Sequence, residues 1–399
     1  MSTQTSSVGP RPRRLTATLR DVETVSPLEL FFDLVFVLGF TQCTALMADE
    51  PTWSGLAKGL LVLGVLWWSW VGYAWLTSVI DPEMDAVRLV IFAAMAALLI
   101  VALCVPEAFG DAALILALAY AVVRIAHIAL FMLASRDQPN LRSSVIGLAI
   151  STAIASGLLV GASFADGTLQ GALWALALAL DIAGPYFFGA EGWQLKAHHF
   201  AERHGLIVII ALGESIVAVG VGAEHGVDAG VAAAAIVGTA VAAALWWLYF
   251  DVVALVAARR LADAEPGREQ NEMARDSYSI LHLPMVAGVI LVALGMKKTL
   301  GHVEDPLKLV PATALLGGTA LYLLAHVAFR LRHIHTLNTR RLGLAVLLVA
   351  FIPVAVEIPA LATVSVLAAA LALLIVVETR SYGASRHRTR EELRHAAEH

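Results

Sequence analysis

Leu28-Glu-Leu-Phe-Phe-Asp-Leu-Val-Phe-Val-Leu-Gly-Phe-Thr-Gln-Cys-Thr-Ala-Leu-Met-Ala48 decides the fold. Apart from Glu29 and Asp33 the run holds only apolar and uncharged side chains, and about 20 such residues in a helix cross a bilayer core about 30 Å thick. A helix on a soluble protein would show a broad polar stripe; this one has none. Ser26 and Pro27 just before it supply an N-cap and a first helical residue. Glu29 then falls in the first turn, where a carboxylate meets the positive end of the helix dipole.

Working outward, the same kind of run recurs along the chain, bounded by charged residues, Gly or Pro. Twelve spans are predicted, at about 28–48, 56–77, 87–105, 111–133, 142–164, 169–189, 204–222, 229–257, 277–296, 309–330, 341–357 and 360–378. The last two are divided by a tight turn at Ile358-Pro359-Ala360. The composition agrees: of 399 residues 59% are hydrophobic and 15% charged, with a mean hydropathy of +0.77. The fold class is therefore an all-α polytopic membrane protein, and no polar stretch is long enough for a soluble catalytic domain. A formal charge of −5 with dispersed basic residues argues against a nucleic-acid partner. Cys43 and Cys104 both lie in apolar runs, so neither a disulfide framework nor a thiolate metal site is expected. No cleaved signal peptide is read at the polar, arginine-bearing N-terminus.

Short cytoplasmic loops retain Lys and Arg, whereas short translocated loops do not. With the N-terminus inside, the inward segments hold 22 of the 27 basic residues and the outward ones only Lys58, Lys297, Lys298 and Lys308. Both termini are thus expected in the cytoplasm. The tails would be 1–20 and a basic 380–399, around six-helix halves at 21–190 and 191–379. A duplication is a candidate relation between the halves. Glu29 followed by Trp67-Trp68 parallels Glu202 followed by Trp246-Trp247, and Leu98-Leu-Ile-Val-Ala-Leu103 parallels Val289-Ile-Leu-Val-Ala-Leu294.

An ionised side chain at mid-bilayer costs at least about 2.5 to 3.5 kcal/mol, so each such residue needs a partner, a wet cavity or a neutral form. Glu29 and Asp33, spaced i,i+4, share one helix face. They are read either as a cap with a structural partner for an arginine elsewhere, or as part of a pathway. A second cluster is His198-His-Phe-Ala-Glu-Arg-His-Gly205, running on to Glu214-Ser215. Arg203 and Glu214 share a face about three turns apart, and Glu214 lies near mid-membrane. The i,i+4 pair His198 and Glu202 lacks the His-Glu-x-x-His order of a zinc helix, so no metal is expected. The pathway candidates are Glu29, Asp33, Glu202, Arg203, His204, Glu214, Asp251, His282 and His326. Arg124, His127, Asp181 and Glu357 are further polar residues within spans, and Trp67, Trp68, Trp70 and Trp75 are read as packing and interfacial anchors.

Val25-Ser-Pro-Leu-Glu-Leu-Phe-Phe-Asp-Leu-Val-Phe-Val37 and Glu202-Arg-His-Gly-Leu-Ile-Val-Ile-Ile-Ala-Leu-Gly-Glu-Ser-Ile216 resemble the bacterial low temperature requirement protein A family. Trp247-Leu-Tyr-Phe-Asp251 and His282-Leu-Pro-Met-Val-Ala-Gly288 match its later motifs, and the resemblance covers roughly 20–380. It implies a bacterial polytopic membrane protein, named from a cold-growth phenotype. More distantly, Glu29-x-Phe31-x-Asp33-x-Val35-Phe36 is similar to the first-helix signature of the prokaryotic relatives of the lysosomal potassium channel. Phe32 stands where those relatives usually carry Ser.

Three functions are compatible with these residues. The first is a transporter or channel for a small solute, ion or proton, since several acids and histidines lie at membrane depth. The second is a non-catalytic membrane protein of cold or stress adaptation, as the family name suggests. The third is an intramembrane lipid-modifying enzyme, which no catalytic motif supports. The first is the expectation, with no catalytic residue, no cofactor, the lipid bilayer and a small solute or ion as partners, and the bacterial plasma membrane as location. Oligomeric state is left open.

Overall fold

The computed structural model describes residues 24–187, 192–222 and 228–397, with side chains at 24–187, 192–221 and 228–381. The predicted tail at 1–20 lies outside the described residues. In the first half, α1 (Pro27–Asp49), α2 (Trp53–Val79), α3 (Asp85–Cys104), α4 (Ala113–Ala134), α5 (Pro139–Ala162) and α6 (Gly167–Phe187) follow one another. In the second, α7 (Ala197–Gly222) and α8 (Ala229–Phe250) are followed by two short helices, α9 (Val253–Asp263) and α10 (Arg268–Met273). Then come α11 (His282–Gly301), α12 (Leu309–Ile334), α13 (Thr339–Ala355) and α14 (Ala360–Ala397). Eleven helical segments are long and apolar enough to cross a membrane. α13, with 17 residues, is at the lower edge of that length. Among the described residues no β-strand forms; Pro306 and Pro359 make an isolated bridge.

The polarity is that of a protein in lipid. Leu89, Ile125, Ile154 and Leu347 are among the large apolar side chains left exposed on helix faces, while charged residues such as Asp33, Arg124 and Arg203 are buried. Without water to accept them, backbone groups in the core must be satisfied within each helix. α2 and α11 are buried along most of their length and form the centre, with α1 and α7 packed between them.

Capping follows the sequence. Ser26 Oγ accepts the Glu29 N–H at 3.3 Å, and the Ser26 N–H donates to Glu29 Oε2 at 2.8 Å, closing a capping box. Thr52, Asp228 and Asn338 cap α2, α8 and α13. The Ile358-Pro359-Ala360 turn also forms, pinned by Ala360 N–H to Asp305 O at 2.9 Å and Leu361 N–H to Val303 O at 3.1 Å.

Three expectations change. The span predicted at 229–257 breaks at Asp251 and Val252, and α9 continues as an amphipathic helix with Arg259 and Arg260 exposed. The start predicted at 277 is instead a π-turn over Ala274–Ile280. Pro284 has no N–H to give to the carbonyl four residues back, which loosens this turn. Last, the segment read as a tail from 380 continues α14 as far as Ala397.

α11 and α12 meet most closely through glycines. A methyl group on Gly318 would lie 2.7 Å from Leu291 Cβ and 2.8 Å from Gly288 O, so only hydrogen fits there.

Candidate functional site

The capping box places Glu29 at the mouth of α1, and Asp33 follows one turn deeper on the same face. α7 crosses that face and sends one guanidinium to both. Arg203 Nη1 donates to Glu29 Oε1 at 3.0 Å and to Thr77 Oγ1 at 3.0 Å; Nη2 donates to Asp33 Oδ1 at 2.5 Å. His199 lies 2.8 Å from Glu29 Oε1 through Nε2. Facing a carboxylate oxygen, that nitrogen is the donor. Trp70 on α2 donates its indole N–H to Asp33 Oδ1 at 2.9 Å, and its ring lies 5.6 Å from the Arg203 guanidinium carbon. All of these groups are buried. Leu28, Phe32, Tyr73 and Ile91 close the cluster, and the space between them and Arg203 has no room for a water molecule.

Eleven residues further along α7, about 16 Å deeper, Glu214 is 2% exposed. Its partner is Thr41 on α1, whose hydroxyl lies 2.5 Å from Glu214 Oε2 and 3.0 Å from Val37 O. Thr44 also faces it, Lys297 contributes only at longer range, and no ion pair reaches Glu214 among the described residues. One stripe of α1 thus carries Glu29, Asp33, Phe36, Phe40, Thr41 and Thr44. α7 answers with Arg203 low and Glu214 high.

The histidines form a separate group beside this stripe. His204 and His326 each set Nδ1 2.8 Å from the carbonyl four residues back, Phe200 O and Tyr322 O. His282 does the same at 3.0 Å with Ser277 O, five residues back, a carbonyl released by the π-turn. A carbonyl only accepts, so all three rings carry hydrogen on Nδ1 and present Nε2 as a lone pair. The Tyr249 hydroxyl donates to His282 Nε2 at 2.8 Å. The His204 ring stands 5.2 Å from that of His282 and 4.8 Å from Trp70, joining this group to the Arg203 cluster. Among the described residues no three His, Cys, Asp or Glu side chains converge to hold a metal ion.

The residues quoted from α1 and α7 are also where comparison with known proteins is decided. The family described as bacterial low temperature requirement A protein (LtrA) matches residues 24–377. The chain belongs to this family. A protein of Rhizobium meliloti (strain 1021), named uncharacterized protein RA0937, is 30% identical over 308 residues, 74% of each chain. No solved structure matches.

In this LtrA chain the structure brings Glu29, Asp33 and Arg203 into one cluster, with His204 against its Trp70. Glu214 lies on the same stripe. His282 and His326 share the Tyr249 neighbourhood, and Asp251 sits buried in the break between α8 and α9. Glu202 is not brought in: it is exposed and accepts the Val25 N–H at 3.2 Å. Trp70, Thr77, His199 and Thr41 belong to the site without having been chosen as candidates. Trp70 and Thr77 are seven residues apart, two helical turns on one face, which marks them as able to serve a common partner. A second buried pair, Arg124 with Asp181 at 2.9 Å, ties α4 to α6 in the first half.

Proposed function

We propose that this multi-span LtrA membrane protein is a transporter or channel for a small solute, ion or proton, with its path along the α1–α7 seam. The observation that carries the reading is Glu214, a carboxyl group at mid-helix held by threonine hydroxyls without a cation. Acids buried in a membrane are costly and rare, and by default mark a functional site. Thr41 has one hydroxyl hydrogen and two acceptors within reach. Both contacts are satisfied together when the hydrogen between Thr41 and Glu214 belongs to the carboxyl group, the arrangement of a site that exchanges a proton or cation. At the other end of the seam, Arg203 with Glu29, Asp33 and His199 forms a dry plug that must open for passage. With the basic loops inside, this plug faces the cytoplasm of the bacterial plasma membrane.

The test is flux in proteoliposomes under imposed potassium, sodium and proton gradients in turn. At least one gradient is expected to drive flux that Glu214→Gln abolishes and Asp33→Asn alters. Flux unchanged in both variants would remove the seam as the route.

A further inference from the structure

We propose that a groove where α3, α4 and α5 meet binds an anionic glycerophospholipid, with an acyl chain along its aliphatic floor and the phosphate held by Arg136 and Arg142. The groove has a volume of about 510 Å³ and lies outside the α1–α7 seam. Val90 on α3 and Leu130, Met132 and Leu133 on α4 supply the apolar floor, and Arg136 and Arg142 are in the same lining. The two arginines come from one short stretch of chain. Arg136 follows the end of α4, and Arg142 stands just inside the start of α5.

The apolar part of the groove opens toward lipid. Ala129, which also lines it, is exposed, and so are Ile125 one turn back on α4 and Leu89 beside Val90 on α3. Both helices are long and apolar enough to cross a membrane. A groove continuous with such a face is filled from the bilayer, and exposed apolar surface rimmed by polar residues marks an interaction site. The volume falls in the range of about 300–1,000 Å³ typical of ligand sites, far more than an inorganic anion occupies.

Charge selects the headgroup. Both arginines are exposed, and among the described residues neither side chain has an ion-pair or hydrogen-bond partner. Arg88 on α3, by contrast, is held by Glu83 at 2.8 Å. The acids nearest in sequence, Asp85 and Asp137, are not in the lining. Two unpaired cations beside an aliphatic floor are complementary to a phosphodiester carried on an acyl chain. The planar guanidinium fork suits phosphate oxygens, and basic pockets between transmembrane helices on the cytoplasmic side take anionic headgroups. A zwitterionic headgroup would bring its own cation against two guanidinium groups. With the basic loops inside, the lipid belongs to the cytoplasmic leaflet. Binding here does not depend on the transport reading.

The experiment is native mass spectrometry of the full chain in detergent, titrated with dioleoylphosphatidylglycerol or dioleoylphosphatidylcholine, which share their acyl chains. The wild type is expected to hold its first phosphatidylglycerol about tenfold more tightly than phosphatidylcholine. Arg136→Gln with Arg142→Gln should abolish that preference. Arg259→Gln with Arg260→Gln, which removes the same charge from the exposed face of α9, should keep it. Ala129→Trp fills the groove with both arginines in place and should weaken phosphatidylglycerol about tenfold. Inorganic phosphate in large excess should not displace the lipid. Equal binding of the two lipids by the wild type, equal losses in the two arginine double variants, or displacement by inorganic phosphate overturns the proposal. So does wild-type affinity in folded Ala129→Trp, and the lipid comparisons decide the matter even if that variant does not fold.

Discussion

Arg203 is the residue on which the lower half of the seam depends. Removing one member of a buried ion pair leaves an uncompensated charge at about 3–5 kcal/mol. Arg203→Met should therefore lower thermal stability in detergent far more than Asp33→Asn, which keeps an acceptor for Trp70. Equal losses in a tryptophan-fluorescence melt would show that Arg203 does not carry the cluster. Trp70→Phe removes one hydrogen bond to a charged group and leaves part of the buried indole's volume empty, so a loss of at least about 1.5–3 kcal/mol is expected in the same melt. Sequence showed that Glu29 and Asp33 share a face and that Arg203 and Glu214 share another. It did not show that these faces meet, because periodicity within one helix is silent about the rotation of its neighbour. Trp70 was passed over for the same reason: an indole in an apolar run reads as packing until its N–H finds an acceptor. Phe32 packs its ring 4.7 Å from Tyr73 and helps seal the cluster.

Among the elements, α11 and α12 pack closely at their glycine crossing. Gly318→Ala would push a methyl into Leu291 and the Gly288 carbonyl, and should cost about 1–3 kcal/mol. Gly213→Ala, with nothing within 4 Å of the added carbon, should leave the melt within about 0.5 kcal/mol of wild type. Indistinguishable melts for the two variants would mean that the α11–α12 crossing tolerates separation. The spans were legible because each is an apolar run of bilayer length between polar punctuation. The break at Asp251 was not, since Val252-Val-Ala-Leu-Val-Ala257 continues the apolar run without Gly or Pro. Nor was the π-turn, although Pro284 is a signal that the preceding turn cannot keep every α-helical bond.

For the whole molecule, the proposed orientation rests on the distribution of Lys and Arg and puts the Arg203 cluster inside. In a background of Cys43→Ser and Cys104→Ser, Thr336→Cys in the α12–α13 connection should react with a membrane-impermeant maleimide only in inside-out vesicles. Glu304→Cys, on the opposite side, should react only in right-side-out ones, and the reverse pattern would invert the assignment. The family, the polytopic class and the intramembrane acids could all be read from the chain, whereas the buried Arg203 cluster and the threonine partners of Glu214 needed the packing of α1 on α7. On the transport reading, Glu214 exchanges the permeating species. Its most direct test is the initial rate of flux, at clamped membrane potential, through liposomes carrying wild type, Glu214→Gln or the surface control Glu50→Gln. Glu214→Gln is expected to fall to the rate of empty liposomes while Glu50→Gln keeps that of the wild type. A wild-type rate in folded Glu214→Gln would contradict it.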